Sequence, residues 1–342
     1  MKLAKISIAA AALSFMLWAP GGLAAKEFFA GKNIWIVVGG PAGGGFDIYA
    51  RLIARHLGKH IPGNPTVLVQ NMPGAGMSIA ANHVYRAEPN GLTIAHWIGG
   101  LVLQQIVGNE AIKFDGRKII WLGVPVADQL VCVFTRQSGV ATMEDWLRSK
   151  TPKKLGGMAP GTAYSDVARL LKAALNPPMR IIEGYQGTSP LRLAMKGEEI
   201  DGLCGWGWKS LKTVAREDIR SGELRIVLQV ALERHPELKN IPVSVEYAGN
   251  DRARKLWQVG AYIHGSLQRP YSLPPGVPED RVELLRKAFT DTLRDPGLLE
   301  EAKKARIDVD PIDGIATTKM FGELYDLSPQ LVNELKTILS PH

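Results

Sequence analysis

The chain has 342 residues, 46% hydrophobic and 22% charged, enough for two ordinary domains with separate cores and unlike a disordered or fibrous chain. Its 41 lysines and arginines against 33 acids leave a net charge of +8. The cations are scattered, with no basic stripe interleaved with aromatics, which argues against nucleic acid as a partner.

Residues 1–24 read as a secretory signal. Lys2 and Lys5 give a positive start, "ISIAAAALSFMLW" (6–18) an apolar core, and Gly22 and Ala24 the small residues of a cleavage site after Ala24. That core falls short of the ~20 apolar residues a membrane helix needs, so the expected mature chain is soluble and exported. Export permits a disulfide between Cys132 and Cys204. Both lie in strand-like apolar runs, however, where free cysteine serves as a small hydrophobe, and the reading favours free thiols.

Strands are predicted at 34–38, 66–70, 92–97, 130–134, 154–158, 179–184, 200–205 and 224–229. Helices are predicted at 47–58, 77–87, 142–149, 165–175, 188–197, 209–216, 279–294, 297–305 and 315–338. In 47–58, Ile48, Leu52, Ile53 and Leu57 keep one face. The alternation predicts parallel α/β sheets covered on both faces, with ligands at the carboxyl ends of the strands. Domain changes are expected near 124–128 and 235–242. "QRPYSLPPGVPED" (268–280) reads as a Pro-rich surface connection with Pro278 and Glu279 opening a helix.

Four strand–loop–helix junctions are rich in glycine: "GGPAGGGFDIYARL" (39–52), "NMPGAGMSIAAN" (71–82), "GGMAPGTAYSDVARLL" (156–171) and "EGYQGTSPLRLAM" (183–195). The first fails the Walker pattern, because Phe46 and Asp47 follow Gly45. It also fails the dinucleotide fingerprint, because Ile48 stands where a small residue is required. What remains is a set of main-chain N–H groups and helix dipoles with no Lys or Arg at any loop tip, suited to a carboxylate or other anion in a cleft between two lobes. A glycine turn used only for packing is the plainer alternative. Asp47 reads as a helix-terminus acceptor, Thr162 and Ser165 as hydroxyl caps of the third helix, and Thr188 or Ser189 as the cap of the last. Phe46, Tyr164 and Trp206 are either an aromatic wall for a ligand or ordinary core.

Catalytic and metal patterns are absent: no CxxC, HExxH or GxSxG occurs. His56 and His60 are four apart but separated by Gly58 at a helix end, where imidazolium complements the dipole, so no metal and no cofactor are expected.

"GGPAGGGFDIYARLIARHL", "VQNMPGAGMSIAAN", "AEPNGLTI", "GYQGTSPLRLAMKGEEID", "RHPELKNIPVSVEYAG" and "LPPGVPEDRVELLRKAF" run in one order along the chain, which resembles the periplasmic receptors of tripartite tricarboxylate transporters, the Bug receptors. The resemblance implies a type II periplasmic-binding-protein fold, α/β throughout, with two lobes and a ligand cleft between them. Lobe 1 would comprise 25–127 plus 240–342, and lobe 2 would be 128–239. It implies one ligand carboxylate held by main-chain amides of Gly43, Gly44, Gly45, Phe46 and Asp47 from one lobe, and of Gly161, Thr162, Ala163, Tyr164 and Ser165 from the other. Met77, Trp97, Gly99, Gly187, Thr188 and Trp206 would line the rest. The family commonly has threonine where this chain has Phe46, which favours a ligand with an aromatic or apolar body.

The function expected is capture of a small organic carboxylate (a di- or tricarboxylate, or an aromatic one) and its delivery to membrane permease subunits, by a monomer without enzymatic activity. The alternatives are a ligand sensor for a signalling system and an enzyme acting on a carboxylate with Asp166 as general base.

Overall fold

The computed structural model describes residues 28–340, so the predicted signal segment lies outside the described residues. Ile34, Ile36 and Val38 of β1 (Asn33–Val38) are fully buried while Trp35 is exposed, the period-2 pattern of a strand with one face in a core. β1 lies beside β2 (Thr66–Asn71) and β3 (Thr93–His96), parallel to both. β10 (Tyr271–Leu273) continues the sheet between β3 and β4 (Ile120–Val124), and β11 (Ile312–Asp313) closes it, giving the order β11-β4-β10-β3-β1-β2. The second sheet has the order β7-β6-β8-β5-β9, from β5 (Leu130–Thr135), β6 (Lys153–Gly156), β7 (Met179–Ile182), β8 (Gly202–Gly207) and β9 (Leu224–Val230). These are two α/β lobes, and the chain crosses between them after Val124 and again between Val230 and Tyr271. The helix Asp251–Ala261, on the return crossing, buries Leu256 against the first lobe's core and Trp257 in the second's.

Neither sheet is purely parallel, contrary to the expectation. β5, the first strand after one crossing, and β10, the first after the other, each run antiparallel to both neighbours. Strand–helix alternation within a lobe says nothing about the direction in which a crossing segment enters. The residues 268–280 are likewise no surface connection. Tyr271, Ser272 and Leu273 are buried mid-sheet, and only the helix start at Glu279, after Pro278, matches the prediction.

Three helix expectations also change. Ile48 is 42% exposed, and Tyr49 and Ala50 join Leu52, Ile53 and Leu57 on the buried face. The predicted helix 315–338 is split into Gly314–Gly322 and Pro329–Leu339, because Ser328 caps a new start and Pro329 cannot continue the old one. The segment 209–216 holds two short helices, Trp208–Val214 and Arg216–Arg220. No helix among the described residues is long and apolar enough to cross a membrane.

The expectation of free thiols is also corrected: Cys132 and Cys204 form a disulfide. They are direct cross-strand partners on antiparallel β5 and β8 with Cα atoms 4.0 Å apart, a proximity that the 72-residue separation hides in the sequence. A bridge closing so long a loop restricts the unfolded chain. Replacing both cysteines by alanine is expected to lower stability by about 2–4 kcal/mol in urea denaturation, and a loss under about 1 kcal/mol would contradict it.

Candidate ligand cleft

The two glycine loops predicted to grip an acid group are built alike. Helix Gly45–Leu57 has Gly44 at its N-cap, which carries no side chain to cap with, and helix Ala163–Leu175 has Thr162, whose side chain does not bond to the helix. The Thr162 hydroxyl instead donates to the Ala159 carbonyl at 2.6 Å. Elsewhere in this chain Thr142, Asp295, Asp313 and Ser328 accept from the helix they precede, while Ser78–Tyr85, Gly100–Ile106 and Glu279–Arg294 are also without a side-chain cap. Leaving a cap unmade forgoes roughly 1 kcal/mol. In both cleft helices the first three N–H groups (Gly45, Phe46 and Asp47; Ala163, Tyr164 and Ser165) have no intrahelical partner.

The residue before each N-cap, Gly43 and Gly161, takes a positive φ (+75° and +87°) that suits glycine. An acid in the first turn then reaches back to lock it. Gly43 N–H donates to Asp47 Oδ2 at 2.8 Å, and Gly161 N–H donates to both oxygens of Asp166 at 3.0 and 3.1 Å. Burial pulls the Asp47 carboxyl upward, but hydrogen bonds from Arg51, Gly43 and Asn71 outweigh it and hold the group below the usual range. Asp47 is thus an acceptor that shapes the loop, as its position suggests, and the Gly43 and Gly161 N–H groups are already engaged. The Ser165 hydroxyl is engaged as well, accepting from Met158 N–H at 3.0 Å.

The lobes meet at glycines. A Cβ on Gly100 would lie 2.1 Å from the Gly161 carbonyl oxygen, and one on Gly76 would lie 3.1 Å from the Ala159 Cβ. Gln104 of the first lobe donates to Asp166 Oδ2 of the second at 3.3 Å. Met77 packs directly on Gly39, and a Cβ on Gly99 would strike the Leu267 carbonyl. Tyr164 and Thr188 share a hydrogen bond at 3.2 Å, and burial pushes the Tyr164 hydroxyl up to about 12. The cap of helix Thr188–Lys196 is Gly187 rather than Thr188 or Ser189, and this N-terminus too has no side-chain cap.

Two predicted lining residues are largely absorbed by cores. Trp97 packs on Phe114 and Trp121 and donates its indole N–H to Ser272 at 3.1 Å. Trp206 is buried in the second lobe's core with Tyr164, though its indole nitrogen has no partner among the described residues. Phe46 is half-buried, with its ring 4.9 Å from His96 and 5.4 Å from the Arg269 guanidinium. His96 stacks on Tyr271 at 4.0 Å, and burial drives its imidazole down to about 3, so it is neutral. Its Nδ1–H then donates to the Pro270 carbonyl at 3.2 Å, and its buried Nε2 is an acceptor with no partner among the described residues. His56 and His60 pair with Glu301 and Asp295, far from these loops in the fold.

Nothing in the sequence marks Arg269. It stands before a proline in an apparently exposed stretch, and only the crossing into β10 carries it to Gly45, where its Nη2 would lie 3.5 Å from a Cβ. Asp128, on the other crossing, sits 3.9 Å from it. Burial pushes the Asp128 carboxyl up, opposed by Arg269 and by main-chain donors.

Two α/β lobes with paired, uncapped helix N-termini at their seam define a bilobal solute-binding protein. The chain belongs to the tripartite tricarboxylate transporter family receptors, whose family pattern matches residues 49–336 and so begins just after the first glycine loop. It is 25% identical over 285 residues to the UPF0065 protein in the tcbD-tcbE intergenic region of Pseudomonas sp. (strain P51), covering 82% of this chain and 80% of that one. Among solved structures it resembles the periplasmic binding protein BugD, at 21% identity with a TM-score of 0.71, covering 91% of this chain and 98% of that chain. MatC from Rhodopseudomonas palustris, solved with bound malate, is similar at 18% identity with a TM-score of 0.69, covering 90% of this chain and all of MatC.

Proposed function

We propose that this protein is an exported periplasmic receptor that closes its lobes on a small organic carboxylate and presents it to the membrane subunits of a tripartite tricarboxylate-type transporter. The observation that carries this is the pair of uncapped helix N-termini, one per lobe, each preceded by a glycine locked by an acid. Three or four hydrogen bonds to a charged group, at roughly 1.5–3 kcal/mol each, approach the ~8 kcal/mol of micromolar binding. A ligand bridging the lobes would shift an open–closed equilibrium. Malate in MatC is a ligand of the class proposed. Residues 25–127 with 240–342 form the first lobe in this reading and 128–239 the second, with helix Asp251–Ala261 packed between them; residues 1–24 are the export signal.

The reading is non-enzymatic. Asp166, the candidate general base, is fully buried with both oxygens on the Gly161 N–H, which supports a structural role. A thermal-shift panel of aliphatic mono- and dicarboxylates and aromatic carboxylates tests the proposal, because a ligand of the folded state alone raises the melting temperature, by about 2.7 kcal/mol of stability at 100 times its Kd. No shift with any of them, or turnover of the bound acid seen by mass spectrometry, would refute it.

Phe46 should set ligand preference. Phe46→Thr removes a ring that borders His96 and Arg269 and adds a hydroxyl. The expected result is at least a tenfold shift in the benzoate-to-adipate Kd ratio towards adipate, about 1.4 kcal/mol, with only a small change in melting temperature. An unchanged ratio would remove Phe46 from the site.

A further inference from the structure

Arg269 stands where a positive charge is least favourable. Its side chain is 8% exposed and lies against the first turn of helix Gly45–Leu57, the positive end of that helix's dipole. Rings ease the cost in part, since the guanidinium carbon is 5.4 Å from the ring centres of both Phe46 and Tyr49. They do not satisfy its donors. Its Nη1 donates to the neutral amide oxygen of Gln268 at 2.8 Å, and its Nε has no hydrogen-bond partner among the described residues. Asp128 Oδ2, at 3.9 Å, is outside hydrogen-bond reach and is itself unpartnered. The other Asp128 oxygen already accepts from the N–H groups of Gln129 and Lys209. A buried cation, a helix N-terminus without a cap and unused N–H donors therefore converge on one point, and an anion placed there would satisfy all three.

We propose that Arg269 grips the ligand's acid group together with the open N–H groups of Gly45 and Phe46, so that the first-lobe end of the cleft joins a full charge to main-chain donors. This rests on the carboxylate reading above. It changes the chemistry of the grip, because the planar guanidinium offers parallel N–H groups that match a carboxylate edge to edge, where a lone helix end offers only partial charge. It also accounts for glycine loops without lysine: the cation is supplied from the crossing segment before β10. The site should then discriminate against neutral isosteres, since an amide would leave the buried guanidinium with Asp128 at 3.9 Å as its nearest carboxylate and no hydrogen-bonded anion.

The test is titration calorimetry on the purified protein with malate, adipate and benzoate, each beside its neutral amide. R269Q is expected to lose on the order of 100-fold in affinity for any acid the wild type binds, and to lose the preference for acid over amide. R269K keeps the charge without the fork and should recover part of the loss. If the wild type binds an acid and R269Q binds it within threefold with the same preference, the inference falls and the carboxylate reading stands. If the wild type binds neither these three acids nor any other of the thermal-shift panel, both fall. Should R269Q fail to fold, R269K decides: a loss of tenfold or more upholds the fork, and wild-type affinity overturns it.

Discussion

Asp166→Ala is expected to lower the unfolding free energy by about 3–5 kcal/mol, the range for removing one member of a buried charged network. Asp166 is fully buried, and among the described residues it alone accepts from the Gly161 N–H. It also accepts from Gln104 across the lobe seam and lies 3.3 Å from His264 Nε2 and 3.8 Å from Arg169 Nη1. Alanine would strand a buried N–H in a left-handed loop and leave Arg169 Nη1, which has no other partner among the described residues, without its carboxylate. Asp166→Asn keeps the shape and one acceptor oxygen, so its loss should be smaller. Urea denaturation checks both, with an unchanged slope showing that the midpoint shift reports stability. A loss under 1 kcal/mol in the alanine variant would mean that the loop does not depend on this carboxylate.

Asp166 also shows what was legible in the sequence. A glycine followed four or five residues later by an aspartate, between a strand and an amphipathic run, occurs in both lobes, and the fold uses it the same way twice. Local patterns of this kind carry the strand–loop–helix junctions, but not the uncapped turns, since Thr162, Ser165 and Thr188 or Ser189 read as hydroxyl caps and none of them caps its helix. What stayed hidden depends on crossings. Cys132 and Cys204 become neighbours only because β5 enters its sheet antiparallel to β8. Tyr271–Leu273 is flanked by prolines and three residues long, too short for periodicity, yet it occupies the middle of a sheet and carries Arg269 to Gly45. β4 was equally silent, since "IWLGV" follows a basic turn and has no helix of its own after it. Trp97, which only the family resemblance places in the lining, is turned by its strand into the core, where Ser272 takes its N–H.

The lobe seam itself leads to a second large effect, this time on binding. Gly100→Ala places a methyl 2.1 Å from the Gly161 carbonyl oxygen and 2.6 Å from His264 Cε1, distances that real Cβ atoms do not reach. The first obstacle is main chain and cannot swing aside. Gly100 does not take a positive φ, so alanine imposes no local strain and even favours the helix Gly100–Ile106 that starts there. The substitution therefore acts across the seam, holding Gly100 and Gly161 apart. Overpacking of this kind costs about 1–3 kcal/mol, and when that cost falls on the closed state alone it appears as a loss of about 5- to 150-fold in affinity for a ligand that requires closure. The ligand-free protein, free to open, should melt within a few degrees of wild type, while the ligand-induced rise in melting temperature collapses. X-ray scattering should show the wild type contracting with ligand and the variant failing to do so. Full wild-type affinity with normal contraction would mean that the Gly100–Gly161 contact is no part of the bound state. Equal destabilisation with and without ligand would place that contact in a permanently fused interface rather than a closing one.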